Sequence, residues 1–295
     1  MKNRTNKPND KKGPSKRFEK KTTRKNFDKD NKFDKAGKNK FSKGKYSKKS
    51  KKSTPEKPED EKIRLNKFIA NAGICSRREA DKYIQAGVVT VNGKVITELG
   101  YKVNPWDDVR FGGEKIKPEK KVYVLLNKPK GYTTTTEDPH AKKTVMQLIE
   151  KCCKERVYPV GRLDKDTTGL LLFTNDGELA KKLTHPSHRI EKVYVVTLDK
   201  NFKTGDFDKL IEGFDLDDGF ISVDAASYLD PDEKSRIIIQ IHSGRNRIVR
   251  RMMEHLGYKV KRLDRVKFAG LTKRGLKRGY WRHLTPKEVS FLKML

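Results

Sequence analysis

The 295-residue chain carries 70 Lys and Arg against 39 Asp and Glu, a formal net charge of +31. That excess goes far beyond what solubility requires and points to a polyanionic partner, nucleic acid before membrane. No apolar run approaches the roughly 18–20 residues needed to span a bilayer, and the basic N-terminus lacks the apolar core of a secretory signal. Cys75, Cys152 and Cys153 form neither a disulfide framework nor a zinc-ligand spacing. They read as reduced thiols of a cytoplasmic protein, and the absence of any Cys/His cluster predicts no metal site.

Residues 1–62 are dominated by Lys, Asn, Ser, Asp and Gly, with Phe18, Phe27, Phe33, Phe41 and Tyr46 recurring singly among lysines. Such a segment buries too little apolar surface to offset its ordering entropy, so a disordered basic arm is predicted. Its basic excess of about 15 is roughly half of the total. It reads either as an RNA tether through phosphate contacts and aromatic stacking or as a solubilising tail.

Globular patterning begins at Ile63, with Leu65, Phe68, Ile69 and Ala72 at helical spacing and Gly73 as the stop. Ser76 and Glu79 have capping-box spacing, opening a second helix over 77–86 that places Ala80, Tyr83 and Ile84 inward. Asn92-Gly93 between Val88–Val91 and Lys94–Ile96 is a strong hairpin signal. Through Arg64–Phe68, Ala72-Gly73, Ser76–Ala80 and Val89–Gly93, residues 63–117 resemble the S4 RNA-binding domain. The resemblance implies that Arg77, Arg78 and Lys82 face RNA phosphates; the plainer reading is a solvated helix face.

The polar Lys115–Lys121 segment, containing Pro118, reads as a linker. A larger domain over 122–295 opens with the buried-strand pattern Val122–Leu126, which a turn at Asn127–Gly131 ends. Short helices are predicted over 144–152, 178–183, 247–256 and 286–295, and strands over 193–198, 237–241 and 259–268. Strands outnumber helices without a βαβα rhythm, so the predicted class is α+β, with a mixed, mainly antiparallel sheet.

The stretch 158–177, YPVGRLDKDTTGLLLFTNDG, joins a tight turn at Gly161–Asp164 to an apolar strand over Gly169–Thr174. Arg162 and Lys165 flank Asp164, and a nearby cation keeps a carboxylate ionised. Taken alone, this is more simply a turn aspartate bonded to its own backbone. Two further patches raise its standing. Tyr194 lies in a β-prone run after a basic, His-containing loop, and Ser243–Met252 is a glycine turn opening an arginine-rich helix. Such a helix start suits phosphate.

GRLDKDTTGLLLFTNDGELAKKLTHP, then EKVYVV, then SGRNRIVRRM, in that order after an S4-like unit, resemble the RsuA/RluB branch of pseudouridine synthases. The resemblance runs from Ile63 to Leu295. It implies that Asp164 is the essential carboxylate, that Arg162 contacts the flipped nucleotide or its phosphate, and that Tyr194 stacks on the target base and assists proton removal at C5. It also implies that Arg250 pairs with Asp164, with Arg247 as the alternative, and that Val249 packs beneath the uracil. Asn127, Lys128, Pro129 and Gly131 are expected to be architectural. The implied reaction isomerises uridine to pseudouridine in ribosomal RNA, expected to be 23S, with no metal, nucleotide or redox cofactor. The implied partner is ribosomal RNA or a pre-ribosomal particle, and the protein is expected to be a monomer. A ribosome-assembly factor without chemistry would account for the charge and the S4-like unit equally well, but not for Asp164, Tyr194 and Arg250 together.

Overall fold

The computed structural model describes residues 62–136 and 142–295. All of the predicted basic arm except Lys62 lies outside them. The described chain begins with β1 (Ile63–Arg64), α1 (Leu65–Asn71), α2 (Arg77–Gln85), β2 (Val89–Val91), β3 (Lys94–Val95), β4 (Lys102–Val103), β5 (Val109–Phe111) and β6 (Glu114–Lys115). Leu65, Phe68, Ile69, Ala80, Ile84, Val89, Val91 and Val103 bury together. The capping box forms: Glu79 N–H donates to Ser76 Oγ at 3.3 Å, and Ser76 N–H donates to Glu79 Oε2 at 2.7 Å. Asn92 and Gly93 both take positive φ, as a two-residue hairpin of this hand requires. Two expectations change. Ile63 pairs with Val103 in a strand rather than opening the helix. Tyr83 is 42% exposed, because its ring packs edge-on to Phe111 at the margin of the core instead of entering it.

The second part runs β7 (Tyr123–Lys128), α3 (Val145–Ile149), β8 (Tyr158–Pro159), β9 (Thr167–Thr174), α4 (Gly177–Thr184), β10 (Lys192–Leu198), α5 (Gly205–Glu212), β11 (Phe214–Leu216) and β12 (Gly219–Ile221). It continues through β13 (Ala225–Tyr228), β14 (Arg236–Ile241), α6 (Ile248–His255), β15 (Val260–Phe268), β16 (Leu271–Thr272), β17 (Trp281–His283) and α7 (Pro286–Met294). The main sheet is ordered β13-β14-β10-β15-β9-β7-β17, with β8 and β16 on its margins. Only β9 and β15 run parallel among its strand pairs. The α+β class and the mixed, mostly antiparallel sheet expected from the sequence are what the chain forms.

Strand β9 is apolar on both faces because both are covered. Leu170 and Leu172 join one core with α4 and α7, while Leu171 and Phe173 join another with α3. Burying each such side chain stabilises the fold by about 1.5–3 kcal/mol. The β14-β10-β15 face carrying Ile237, Ile239, Ile241, Val196 and Leu263 packs with Phe207 and Leu210 of α5 and Val249, Met252 and Met253 of α6. These cores fix three segments around one opening: the loop before β9, the start of β10 and the loop before α6.

Candidate active site

The loop 161–167 is clamped from beneath. Lys128, fully buried, donates from Nζ to the carbonyls of Thr167 at 2.8 Å, Asp164 at 2.9 Å and Lys165 at 3.3 Å. Thr134 Oγ1 donates to the Leu163 carbonyl at 2.7 Å and accepts from Leu163 N–H at 3.3 Å. Gly131 N–H donates to the Lys165 carbonyl at 2.8 Å. Burial pulls the Lys128 ammonium down to about 8, opposed by the carboxylates of Asp164 and Asp166. The group therefore remains charged at neutral pH and holds the loop as a cation.

A second constraint is Gly169, at φ +108°. A Cβ there would stand 2.2 Å from the Arg265 carbonyl oxygen, so β9 and β15 approach this closely only with glycine. The contact brings β15 beside the aspartate loop.

Asp164, Arg162, Tyr194, Arg247 and Val249 line one cavity of about 460 Å³. Asp164 and Tyr194 are half-buried, Val249 is buried, and Arg162 and Arg247 are exposed. Arg247 caps α6 with φ 49° and ψ 27°, a left-handed conformation that costs a non-glycine residue about 1–3 kcal/mol. Arg245 donates to the Gly219 carbonyl at 2.8 Å, and Arg251 grips Asp218 through two hydrogen bonds of 2.8 Å. The hairpin tip between β11 and β12 thus occupies two of the four arginines and leaves Arg247 facing the cavity.

Arg250 does not line it. One residue beyond Val249 turns the helix by about 100°, and Arg250 is buried, with Nη1 donating to the Val260 carbonyl at 3.2 Å and Nε without a partner. Among the described residues Asp164 forms no ion pair with Arg250, Arg247, Arg162 or Lys165. Asp166 turns away, 3.7 Å from Lys130.

Lys128, Thr134, Lys192 and Arg265 belong to this site and were not singled out by sequence as working parts. Lys192 and Arg265 line the cavity. A parity signal existed: Lys192 shares the inward face of Tyr194, and Arg265 the inward face of Leu263. Arg77, Arg78 and Lys82 lie apart from the cavity, exposed on α2. Arg77 Nη2 donates to Asn66 Oδ1 at 3.4 Å, while Arg78 and Lys82 have no ion-pair partner among the described residues.

The family model for RNA pseudouridylate synthase matches residues 122–255, and that for the S4 domain matches residues 63–109. The chain is 45% identical over 235 residues to ribosomal large subunit pseudouridine synthase B of Bacillus subtilis, covering 79% of this chain and 96% of that one. It is 38% identical over 234 residues to the dual-specificity RNA pseudouridine synthase RluF of Escherichia coli K12, covering 78% of each. A crystal structure of a pseudouridylate synthase superimposes with a TM-score of 0.56 at 31% identity, covering 78% of this chain and 99% of that one. The chain belongs to the RsuA/RluB family of RNA pseudouridine synthases, with an S4 domain ahead of the isomerase domain.

Proposed function

We propose that this enzyme converts a specific uridine of large-subunit ribosomal RNA to pseudouridine, with Asp164 as the reacting carboxylate. The observation that carries this reading is the convergence of Asp164, on the loop before β9, and Tyr194, on β10, on one nucleotide-sized cavity. The ribosomal large subunit named for the 45% identical Bacillus subtilis relative supports the choice of RNA. The proposed division is a basic arm over 1–62, an RNA-docking unit over 63–117 and a catalytic unit over 122–295. The enzyme acts as a cytoplasmic monomer on ribosomal RNA or a pre-ribosomal particle.

A stacked uridine is out of reach, so the nucleotide is extruded at a cost of a few kcal/mol. Arg162 and Arg247, exposed at the cavity mouth, offset this by holding its phosphate. Tyr194 stacks on the uracil and assists proton loss at C5, and Val249 supports the ring from below. Arg250 pairs with the Asp164 carboxylate only by leaving the Val260 carbonyl, and Arg247, which already lines the cavity, is the alternative partner. Arg77, Arg78 and Lys82 hold the RNA backbone away from the cavity. The test is incubation of the full chain with ribosomal RNA and mapping of pseudouridine. Asp164→Asn is expected to abolish product while RNA affinity survives; turnover by that variant would sink the assignment.

A further inference from the structure

A buried cation without an acidic partner is costly unless something anionic comes to it. Arg265, buried, and Lys192, half-buried, are cations without an acidic partner on the cavity wall. Lys192 stands two residues before Tyr194 on one face of β10, and Arg265 is the cross-strand neighbour of Tyr194 on β15. Phe268 lies opposite Lys192, and the Arg265 guanidinium carbon is 4.6 Å from the centre of its ring. Together the four side chains form one continuous patch.

Arg265 is 3% exposed and gives Nε and Nη2 to the Leu170 carbonyl at 2.9 and 2.7 Å, leaving the Nη1 edge without a protein acceptor. Lys192 gives one N–H to the Ile190 carbonyl at 3.0 Å and one to the His242 carbonyl at 2.7 Å, so one of its three remains. Neither makes an ion pair among the described residues. They are close enough that, after burial, the Arg265 charge helps pull the Lys192 ammonium down to about 8.

The reaction supplies an anion at this depth. If the Asp164 carboxylate attacks C1′, a C1′–O bond forms and the N1–C1′ pair leaves on N1. If it takes the C2′ proton, the C–H pair becomes the C1′=C2′ bond and the N1–C1′ pair again leaves on N1. If it adds to the ring, the displaced π pair rests on a ring oxygen. In the ring-addition route too the N1–C1′ bond then breaks with its pair on N1. Joining C5 to C1′ uses a pair from the ring while the C1′–O pair returns to the carboxylate in the first route, C2′ takes its proton back from Asp164 in the second, and the carboxylate leaves the ring in the third; the C5 proton is lost and N1 takes one up. In each route the pyrimidine carries negative charge while it must stay bound and turn. We infer that the Lys192 ammonium and the Arg265 guanidinium form the anion-stabilising wall for the detached pyrimidine, holding its oxygens through the turn. Arg162 and Arg247 sit at the exposed mouth and suit the phosphate; Lys192 and Arg265 sit where the base goes. The inference rests on the reading that this cavity receives the reacting nucleotide.

The test uses the full-length enzyme and an RNA it converts, carrying either uridine or 5-fluorouridine at the target. Fluorine makes the departing pyrimidine a weaker base, less in need of stabilisation. Lys192→Met is expected to slow single-turnover cleavage of the N1–C1′ bond about 100-fold for uridine but less than about tenfold for 5-fluorouridine, with RNA Kd within about twofold of wild type. Lys192→Arg, which keeps the charge, is expected to restore most of the wild-type ratio between the two substrates. Should Lys192→Met fail to fold, Lys192→Gln and Arg265→Lys carry the same comparison. Equal slowing on both pyrimidines marks a merely structural lysine and overturns the inference. Weakened RNA binding with an unchanged rate overturns it too, and reassigns Lys192 to phosphate. A wild-type enzyme inactive on every ribosomal RNA would overturn the reading of the cavity itself, a different failure.

Discussion

Asp164 is held by its backbone rather than by its side chain. Lys128, Thr134 and Gly131 bind the carbonyls around it, so the carboxylate is aimed by the loop and left open to a ligand. Glycine 169 is part of the same arrangement. In Gly169→Ala the new Cβ would meet the Arg265 backbone at 2.2 Å, and the residue would keep a φ that L side chains rarely adopt. A loss of about 3 kcal/mol or more is expected in denaturant unfolding, with loss of activity. A fully stable, active variant would show that β9 and β15 can separate without disturbing the site. The motif residues Arg162, Asp164, Tyr194, Arg247 and Val249 were legible in the sequence because each sits in a local signature. Lys128 was expected to be architectural and clamps the loop; Thr134, Lys192 and Arg265 were not singled out, because their roles depend on tertiary placement that no local pattern prints. Arg250 shows the converse: Arg250 and Arg251 look equivalent in sequence, yet the turn of about 100° per residue sends one into the core and the other to Asp218 on the hairpin tip.

Elements with terminal signals were read closely. The Ser76 capping box and the Asn92-Gly93 hairpin form where the sequence places them, and Asp176 and Pro286 stand at the starts of α4 and α7. The helix expected over 144–152 is shorter, Val145–Ile149, with Thr144 N–H donating to Gln147 Oε1 at 3.4 Å at its start. At α7 the cap also has a pH signature. Arg282 grips Glu288 through bonds of 2.7 and 2.8 Å, and Thr285 N–H adds another at 2.8 Å, pulling the carboxyl down to about 2. The unfolded chain takes up that proton near pH 4.3. The contribution is therefore complete above about 4.3 and lost as pH falls toward 2. Glu288→Gln is expected to lower the urea midpoint at pH 7, with most of that gap gone at about pH 2.5. An equal gap at both pH values would mean the side chain acts by packing alone.

At the scale of the whole molecule, an S4 domain precedes an isomerase domain, and we propose that charge joins both to RNA. The S4 unit touches the isomerase unit through the Lys67–Glu178 ion pair, and the linker residue Glu119 donates its N–H to the Asn71 carbonyl at 2.8 Å. Arg77, Arg78 and Lys82 are exposed on α2, where we propose they meet the RNA. Deleting residues 1–60 is expected to weaken RNA binding and flatten its salt dependence while the chemistry survives. Alanine at Arg77, Arg78 and Lys82 is expected to reduce the salt slope further, by up to about one per lost phosphate contact. Filter-binding across a salt series reads both effects, and an unchanged slope after the deletion would remove the tether role of the arm. The α+β class was visible from the rhythm of the strands, whereas the single parallel contact of β9 with β15 that builds the cavity wall was not.

The most direct measurement is transcriptome-wide pseudouridine mapping in a strain lacking this protein, complemented with wild type or Asp164→Ala. One large-subunit ribosomal RNA site is expected to vanish on deletion, to return with wild type, and to stay absent with the variant present at equal abundance. Return of the modification with Asp164→Ala, or no ribosomal site lost on deletion, would contradict the account.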